Sequence, residues 1–230
     1  MFISIKKKTI ILVSAFIICV TSFLLVISFA SSSTAAVPPN GFVIVIDAGH
    51  GGHDGGATGV VTGAKESDIN LAIARSLRHF LIQNGFEVVM TRSTRDGLYG
   101  MAKTGRKMRD MEERRRIINE ASPDLVVSIH QNTFPSPRER GPQVFYAPSS
   151  ETGQKAAQTM QQTMNATLNS NRNARGGDYF ILQSTSYLSI LVECGFLSNP
   201  EEDRLLNTPT YQEKIAFTIF KGVMSILMGA

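Results

Sequence analysis

Cysteine is scarce in this sequence of 230 residues, which contains only two. Cys19 lies in an apolar N-terminal segment, so Cys194 is the one cysteine in the rest of the chain. An internal disulfide is therefore excluded for the folded part, and its stability has to come from a buried core. The length is enough for one well-buried domain and leaves little room for a second.

An excess of positive charge is also missing from most of the chain, although the formal net charge is +4. Lys6, Lys7 and Lys8 supply three of the 23 basic residues, and no acidic residue precedes Asp47. Beyond residue 36, 20 basic residues stand against 19 acidic ones, which leaves a net charge of +1. This balance argues against nucleic acid as a partner.

The N-terminal segment has the layout of an export signal. Its three lysines precede an apolar run from Ile10 to Phe29, and small residues offer cleavage points after Ala30 or Ala36. We favour a cleaved signal. Because the run is also close to the ~20 residues that span a bilayer, an uncleaved anchor is the alternative. With the positive charge on the N-terminal side, we expect the rest of the chain outside the cytoplasm either way.

These features predict the organisation of the whole chain. Residues 1–36 are expected to form the signal peptide or N-terminal membrane anchor, which would be the only part in contact with the membrane. Residues 37–41 are expected to be a linker, and residues 42–230 a single folded domain.

Apolar runs alternate with amphipathic segments in that domain. A β-branched run from Phe42 is typical of a strand buried on both faces, and helical spacing follows over residues 67–85. This alternation continues and predicts a mainly parallel sheet covered by helices on both faces. The further predicted strands are 86–91, 125–130, 143–147, 179–182 and 189–193, and the further predicted helices are 108–120, 151–169, 200–206 and 211–228.

Reactive side chains follow three of the predicted strands. The first strand runs into His50 in a glycine-rich turn, the third ends at His130, and another ends at Glu193, while Glu66 opens the first helix. Glycines in the turn let the backbone pass close to whatever His50 holds. Because the carboxyl ends of parallel strands meet at one edge of a sheet, we expect these side chains to lie together.

The residue types at this edge suggest metal-assisted hydrolysis. Two histidines and a carboxylate are the ligands of hydrolytic zinc sites, where the metal lowers the pKa of a bound water to ~7 and polarises a carbonyl. A further carboxylate can take the proton of the water and pass it to the leaving amine, a role that Glu193 fits. His53 is a second histidine in the glycine-rich turn, and it is more typical of a solvent-facing or supporting residue than of a ligand.

Four motifs, in their order along the chain, give the sequence a family resemblance. IDAGHGGHDGGA, Lys65-Glu66, SIHQN at 128–132 and VECGFLSN at 192–199 resemble the zinc-dependent N-acetylmuramoyl-L-alanine amidases of the amidase-3 family. The likeness extends from about residue 42 to 229. It implies a three-layer α/β/α sandwich around a mixed, mainly parallel sheet of about six strands. It also implies one Zn²⁺ per chain held by His50, Glu66 and His130, with Glu193 as the catalytic carboxylate.

The resemblance further implies hydrolysis of the amide bond between the lactyl group of N-acetylmuramic acid and L-alanine in peptidoglycan. A catalytic domain without wall-binding repeats and the wording VECGFLSNPEE are most similar to germination-specific amidases of spore formers. That subgroup implies action on spore cortex stem peptides ahead of muramic-δ-lactam formation, in the spore intermembrane space or cortex. By resemblance only, it also implies a lipoprotein activator.

Three other polar residues are candidates for substrate binding, namely Arg92, Arg114 and Asn132. Each also fits plain surface exposure or structural hydrogen bonding. For the segment from Arg114 to Arg116, which follows two glutamates, the charge pattern predicts a solvated helix face.

Two alternative functions remain open at this point. Cys194 near a histidine could be the nucleophile of a cysteine-type peptidoglycan hydrolase. However, side chains alternate along a strand, so Cys194 and Glu193 should point to opposite faces, and a Cys194→Ser variant should stay active under the zinc hypothesis. The other alternative is a catalytically silent wall-binding or regulatory module. The presence of all four expected site residues argues against it.

Overall fold

A computed structural model of the chain describes residues 41–229. The predicted signal peptide or anchor, and all of the predicted linker except Gly41, lie outside the described residues. Within residues 41–229, no helix combines the length and the apolar character needed to cross a membrane.

The described chain forms one mixed sheet of six strands in the order β2-β1-β3-β6-β4-β5. β1, β2, β3 and β6 are mutually parallel, β4 runs antiparallel to β6, and β5 is parallel to β4. The strands are β1 (Val43–Ala48), β2 (Glu87–Met90), β3 (Leu125–Asn132), β4 (Gln143–Tyr146), β5 (Arg175–Gly176) and β6 (Ser189–Phe196). The helices are α1 (Glu66–Gln83), α2 (Arg106–Ala121), α3 (Glu151–Leu168), α4 (Phe180–Gln183), α5 (Pro200–Leu206) and α6 (Pro209–Met228).

Alternate side chains of the central strands pack against two separate helix layers. Ile44 and Ile46 of β1 belong to the larger core, which α1, α3 and α6 cover. Val45, between them, belongs to the smaller core on the other face, with Ile118 of α2 and Leu182 of α4. Because both faces are covered, the strands consist of continuous apolar runs. The predicted α/β/α fold with a mixed, mainly parallel sheet is confirmed.

The predicted strand over residues 179–182 is wrong, because this segment contains the short helix α4 instead. A brief apolar run does not distinguish a strand from a buried helical turn. Ile181 and Leu182 are both buried in the smaller core, which neighbouring residues of a strand could not do from opposite faces. The strand that the sequence did not predict is β5. Its residues Arg175 and Gly176 are exposed and carry no apolar pattern that indicates a strand.

Candidate metal and catalytic site

The carboxyl edge of the sheet brings the predicted site residues together. β1, β3 and β6 are neighbours in the sheet, so the turn after β1 places His50 beside His130 of β3. His130 in turn is the register partner of Glu193 on β6. Glu66 reaches the same point as the first residue of α1. All four line one cleft of about 810 Å³.

Three of these side chains converge closely enough to hold one metal ion. His50 Nε2 lies 3.2 Å and His130 Nδ1 lies 2.9 Å from Oε1 of Glu66. One ligand atom from each residue lies within 4.8 Å of the others. Asp54 Oδ2, 3.0 Å from Nδ1 of His50, orients that ring and leaves Nε2 for the site. Two imidazole nitrogens and one carboxylate oxygen are a donor set that suits zinc.

The charges in the cluster reinforce one another. Burial works to raise the pKa of Glu66, but hydrogen bonds and charge from His130 and His50 hold that pKa well below its usual range. Burial works to lower the pKa of His50, but Glu66 and then Asp54 raise it to about 9. The two carboxylates thus favour a cation at this position, which a proton on His50 or a bound metal can supply.

Glu193 is a buried carboxylate with an unpaired oxygen. The side chain is nearly enclosed, with a residue exposure of 7%, and its Oε2 has no hydrogen-bond partner within residues 41–229. Burial is the largest cause that raises its pKa to about 7, against the lowering effect of His130. A carboxyl group that titrates near neutral pH, with one oxygen free, can both accept and return a proton.

Glycine is required where the backbone passes the converging side chains. A Cβ built on Gly49 would lie 2.3 Å from two atoms of the His130 ring. A Cβ on Gly56 would lie 2.5 Å from Oε2 of Glu66 and 2.8 Å from the ring of His50. A side chain at either position would displace a site residue, while the predicted close approach of the turn to a group held by His50 stays a prediction.

Hydrogen bonds that the sequence did not reveal hold Glu66 in place. Ala57 N donates to Oε2 at 2.8 Å, and Gln131 N donates to Oε1 at 3.1 Å. Asn70 Nδ2, one helical turn after Glu66, donates to Oε1 at 3.3 Å. The four-residue spacing on α1 is the only sequence signal for Asn70, and it is a weak one.

The three candidates for substrate binding occupy different surroundings. Asn132 lines the cleft and is partly exposed, so its predicted contact with substrate stays a prediction. Arg114 also borders the cleft, whereas Arg92 does not. Both arginines are buried, and their guanidinium groups donate to backbone carbonyls, which favours the structural alternative. The predicted solvated face is wrong for Arg114, whereas Arg115 and Arg116 do form ion pairs with glutamates at the surface.

Cys194 points away from the cleft into the larger core. It is 1% exposed, and burial followed by the charge of Glu193 raises the pKa of its thiol far above the usual range. The thiolate needed for nucleophilic attack is therefore strongly disfavoured. The second histidine of the turn, His53, is exposed and outside the converging set.

Comparison with known proteins identifies the family. A family model described as N-acetylmuramoyl-L-alanine amidase matches residues 44–225. The chain belongs to this amidase-3 family. The germination-specific N-acetylmuramoyl-L-alanine amidase of Bacillus subtilis is 35% identical over 194 residues, which are 82% of this chain and 81% of that protein. AmiA of Escherichia coli is 31% identical and covers 80% of this chain and 75% of its own length.

Solved structures of amidases have the same fold. The CwlD amidase of Clostridioides difficile, solved in complex with the GerS lipoprotein, has a TM-score of 0.79 and 33% identity, and the match covers 82% of this chain and 100% of that one. The catalytic domain of CwlV from Paenibacillus polymyxa gives a TM-score of 0.73 at 29% identity, covering 81% of this chain and 98% of the domain. Family membership confirms the predicted enzyme class, an N-acetylmuramoyl-L-alanine amidase, with peptidoglycan as its substrate.

Proposed function

We propose that this amidase is zinc-dependent and cleaves the amide bond between the lactyl group of N-acetylmuramic acid and L-alanine. The observation that carries the proposal is one cleft that joins the converging ligand set with a buried carboxylate, one oxygen of which has no hydrogen-bond partner within residues 41–229. His50, Glu66 and His130 would hold one Zn²⁺, and residues 42–230 form the catalytic domain.

Glu193, Asp54 and Asn132 have separate tasks in this mechanism. Zinc, when bound, supplies a Lewis acid for the substrate carbonyl and for water. Glu193 takes a proton from the attacking water and passes it to the α-amine of L-alanine as the C–N bond breaks. Burial raises the pKa of Glu193 above its ordinary value, which helps this carboxyl group return the proton to the amine. Asp54 fixes the ring of His50, and Asn132 contacts the substrate at the side of the cleft.

We further propose that the substrate is the stem peptide of spore cortex, ahead of muramic-δ-lactam formation. Similarity to the germination-specific relative from Bacillus subtilis supports this narrower role. We also propose that the N-terminal segment exports the enzyme across the cytoplasmic membrane, to the side on which its substrate lies. A lipoprotein activator is proposed as partner because CwlD was solved in complex with one.

A digest of purified peptidoglycan tests the reaction and the metal together. The full chain in mild detergent is incubated with cortex and with vegetative peptidoglycan, untreated, with chelator, and with chelator followed by zinc. We expect new alanine amino termini and peptide-free muramic acid, their loss with chelator, and their return with zinc. Activity that survives complete removal of zinc would contradict the metal assignment. Equal activity on both walls would contradict the cortex assignment.

A further inference from the structure

We infer that Arg114 is a positioning residue, whose guanidinium holds the backbone at His50 so that this histidine faces the metal site. The inference rests on the proposed function, because it takes His50 as a metal ligand. It gives a role to a buried arginine on α2, a helix that contributes none of the converging ligand atoms.

His50 has a backbone conformation that needs support. Its φ is +61°, in the left-handed region that non-glycine residues rarely adopt. Two other non-glycine residues of the described chain, Ser122 and Asn169, also have positive φ, but both are helix C-caps, where this conformation is common. His50 instead lies in the turn after a strand. Residues held this way persist only where surrounding contacts impose the conformation.

Two guanidinium groups impose it by binding three consecutive carbonyl groups. Arg114 Nη2 donates to O of His50 at 2.7 Å, and its Nη1 donates to O of Ala48 at 2.8 Å. Arg92 donates to O of Ala48 from Nε at 2.8 Å and to O of Gly49 from Nη2 at 2.9 Å. Of these two groups, only that of Arg114 contacts the carbonyl of His50.

Carboxylates behind the turn fix Arg114 itself. Its Nη1 lies 2.6 Å from Oδ1 of Asp47 on β1, and its Nε lies 2.6 Å from Oδ2 of Asp110 on α2. Arg114 borders the cleft but is only 1% exposed, and these two carboxylates balance its charge inside the protein. The planar fork of an arginine can bind two carbonyls and two carboxylates at once, which the point charge of a lysine cannot do.

The test measures zinc affinity in the full chain carrying Arg114→Lys, by competition with a coloured chelator. We expect zinc to bind about 10–100-fold more weakly, as for other groups that orient a ligand histidine. The visible spectrum of bound Co²⁺ should also change, because the geometry at His50 changes. Arg116→Lys, on the exposed side of the same helix, is the matched control and should leave both readouts unaltered.

A second variant covers the case in which a buried ammonium prevents folding. Arg114→Gln avoids that charge and should weaken zinc binding in the same way. Unchanged zinc affinity and Co²⁺ spectrum in either folded variant, with only a lower melting temperature, would overturn the inference. Loss of folding in both variants would also overturn it, because Arg114 would then serve the fold as a whole. If the unmodified protein itself failed to bind zinc, the proposed metal site would be wrong instead.

Discussion

At the scale of single residues, the site separates metal binding from proton transfer. Glu66 is surrounded by histidines and backbone donors, which keep it ionised and fixed. Glu193 lies on the neighbouring strand β6, and its Oε2 has no hydrogen-bond partner among the residues that the structure describes. Two glutamates in one cleft therefore have opposite electrostatic surroundings, a pattern that assigns one to the charged and the other to the titrating role.

The Glu193→Gln variant tests that assignment. Glutamine has nearly the same shape but cannot accept a proton, so we expect turnover to fall by about 10²–10⁴-fold. Zinc content should remain that of the unmodified protein, because Glu193 is outside the converging set. Released alanine amino termini and zinc analysis measure the two effects. Glu201→Gln, an exposed change on α5, is the control. Loss of zinc together with activity would show that Glu193 is a ligand.

Cys194 provides an independent test of the nucleophile. A Cys194→Ser variant is expected to keep turnover within about twofold and to lower the free energy of unfolding by about 1–3 kcal/mol, since it buries a hydroxyl group in the core. In a Cys19→Ser background, the native protein should also resist alkylation until it is unfolded. Inactivation of the folded serine variant would instead support the cysteine-type hydrolase.

At the scale of elements, the turn after β1 packs closely against the strand β3 at Gly49. Gly49→Ala would bring a methyl group against the His130 ring. We expect weaker zinc binding and a loss of about 1–3 kcal/mol in stability, as for overpacked cores. Gly55→Ala is the control, because the three atoms nearest to the new Cβ all belong to the flexible side chain of Lys65. Equal zinc affinity in both variants would contradict the close contact described for Gly49.

The strands that carry the site could be predicted because their apolar sequences agree with their burial in the folded sheet. Parallel strands buried on both faces have apolar sequences, so residues that end them stand out. This is why the sequence alone assigns His50, His130 and Glu193 to one edge of the sheet. The glycine requirement also follows from sequence, although the partners of Gly49 do not.

Other elements depend on contacts that no local pattern encodes. Arg114 lies in a run of charged residues typical of a solvated helix, and only the packing of α2 against the turn after β1 turns it inward. β5 has two exposed residues and forms by pairing with β4. The short apolar run at Ile181 and Leu182 suits a strand as well as a helical turn. It forms helix α4 because both side chains pack into the smaller core.

At the scale of the whole molecule, the buried pair of Asp47 and Arg114 links stability to pH. Burial works to raise the pKa of Asp47, but Arg114, Ser128 and His130 lower it to about 2, below its usual value in an unfolded chain. Its stabilising effect is thus fully present above pH ~4 and is lost as the pH falls through ~2.

We therefore expect zinc-free protein to lose about 2 kcal/mol of unfolding free energy through this group between pH 4 and 2. Urea unfolding at several pH values measures it. The variant Asp47→Asn should be less stable at pH 7 and should lack this part of the pH dependence. The same pH dependence in the variant and the unmodified protein would assign the effect to other carboxyl groups.

The position of β6 also determines which part of the chain completes the site. This strand is the last of the six in sequence, yet it lies between β3 and β4. A chain that leaves the ribosome or crosses a membrane from its N-terminus has β1 to β5 available while the middle of the sheet is still missing. Residues 189–196 then close the gap and bring Glu193 to His130 in the same event. A chain delivered only as far as β5 therefore has no complete site, because Glu193 is still absent from the sheet.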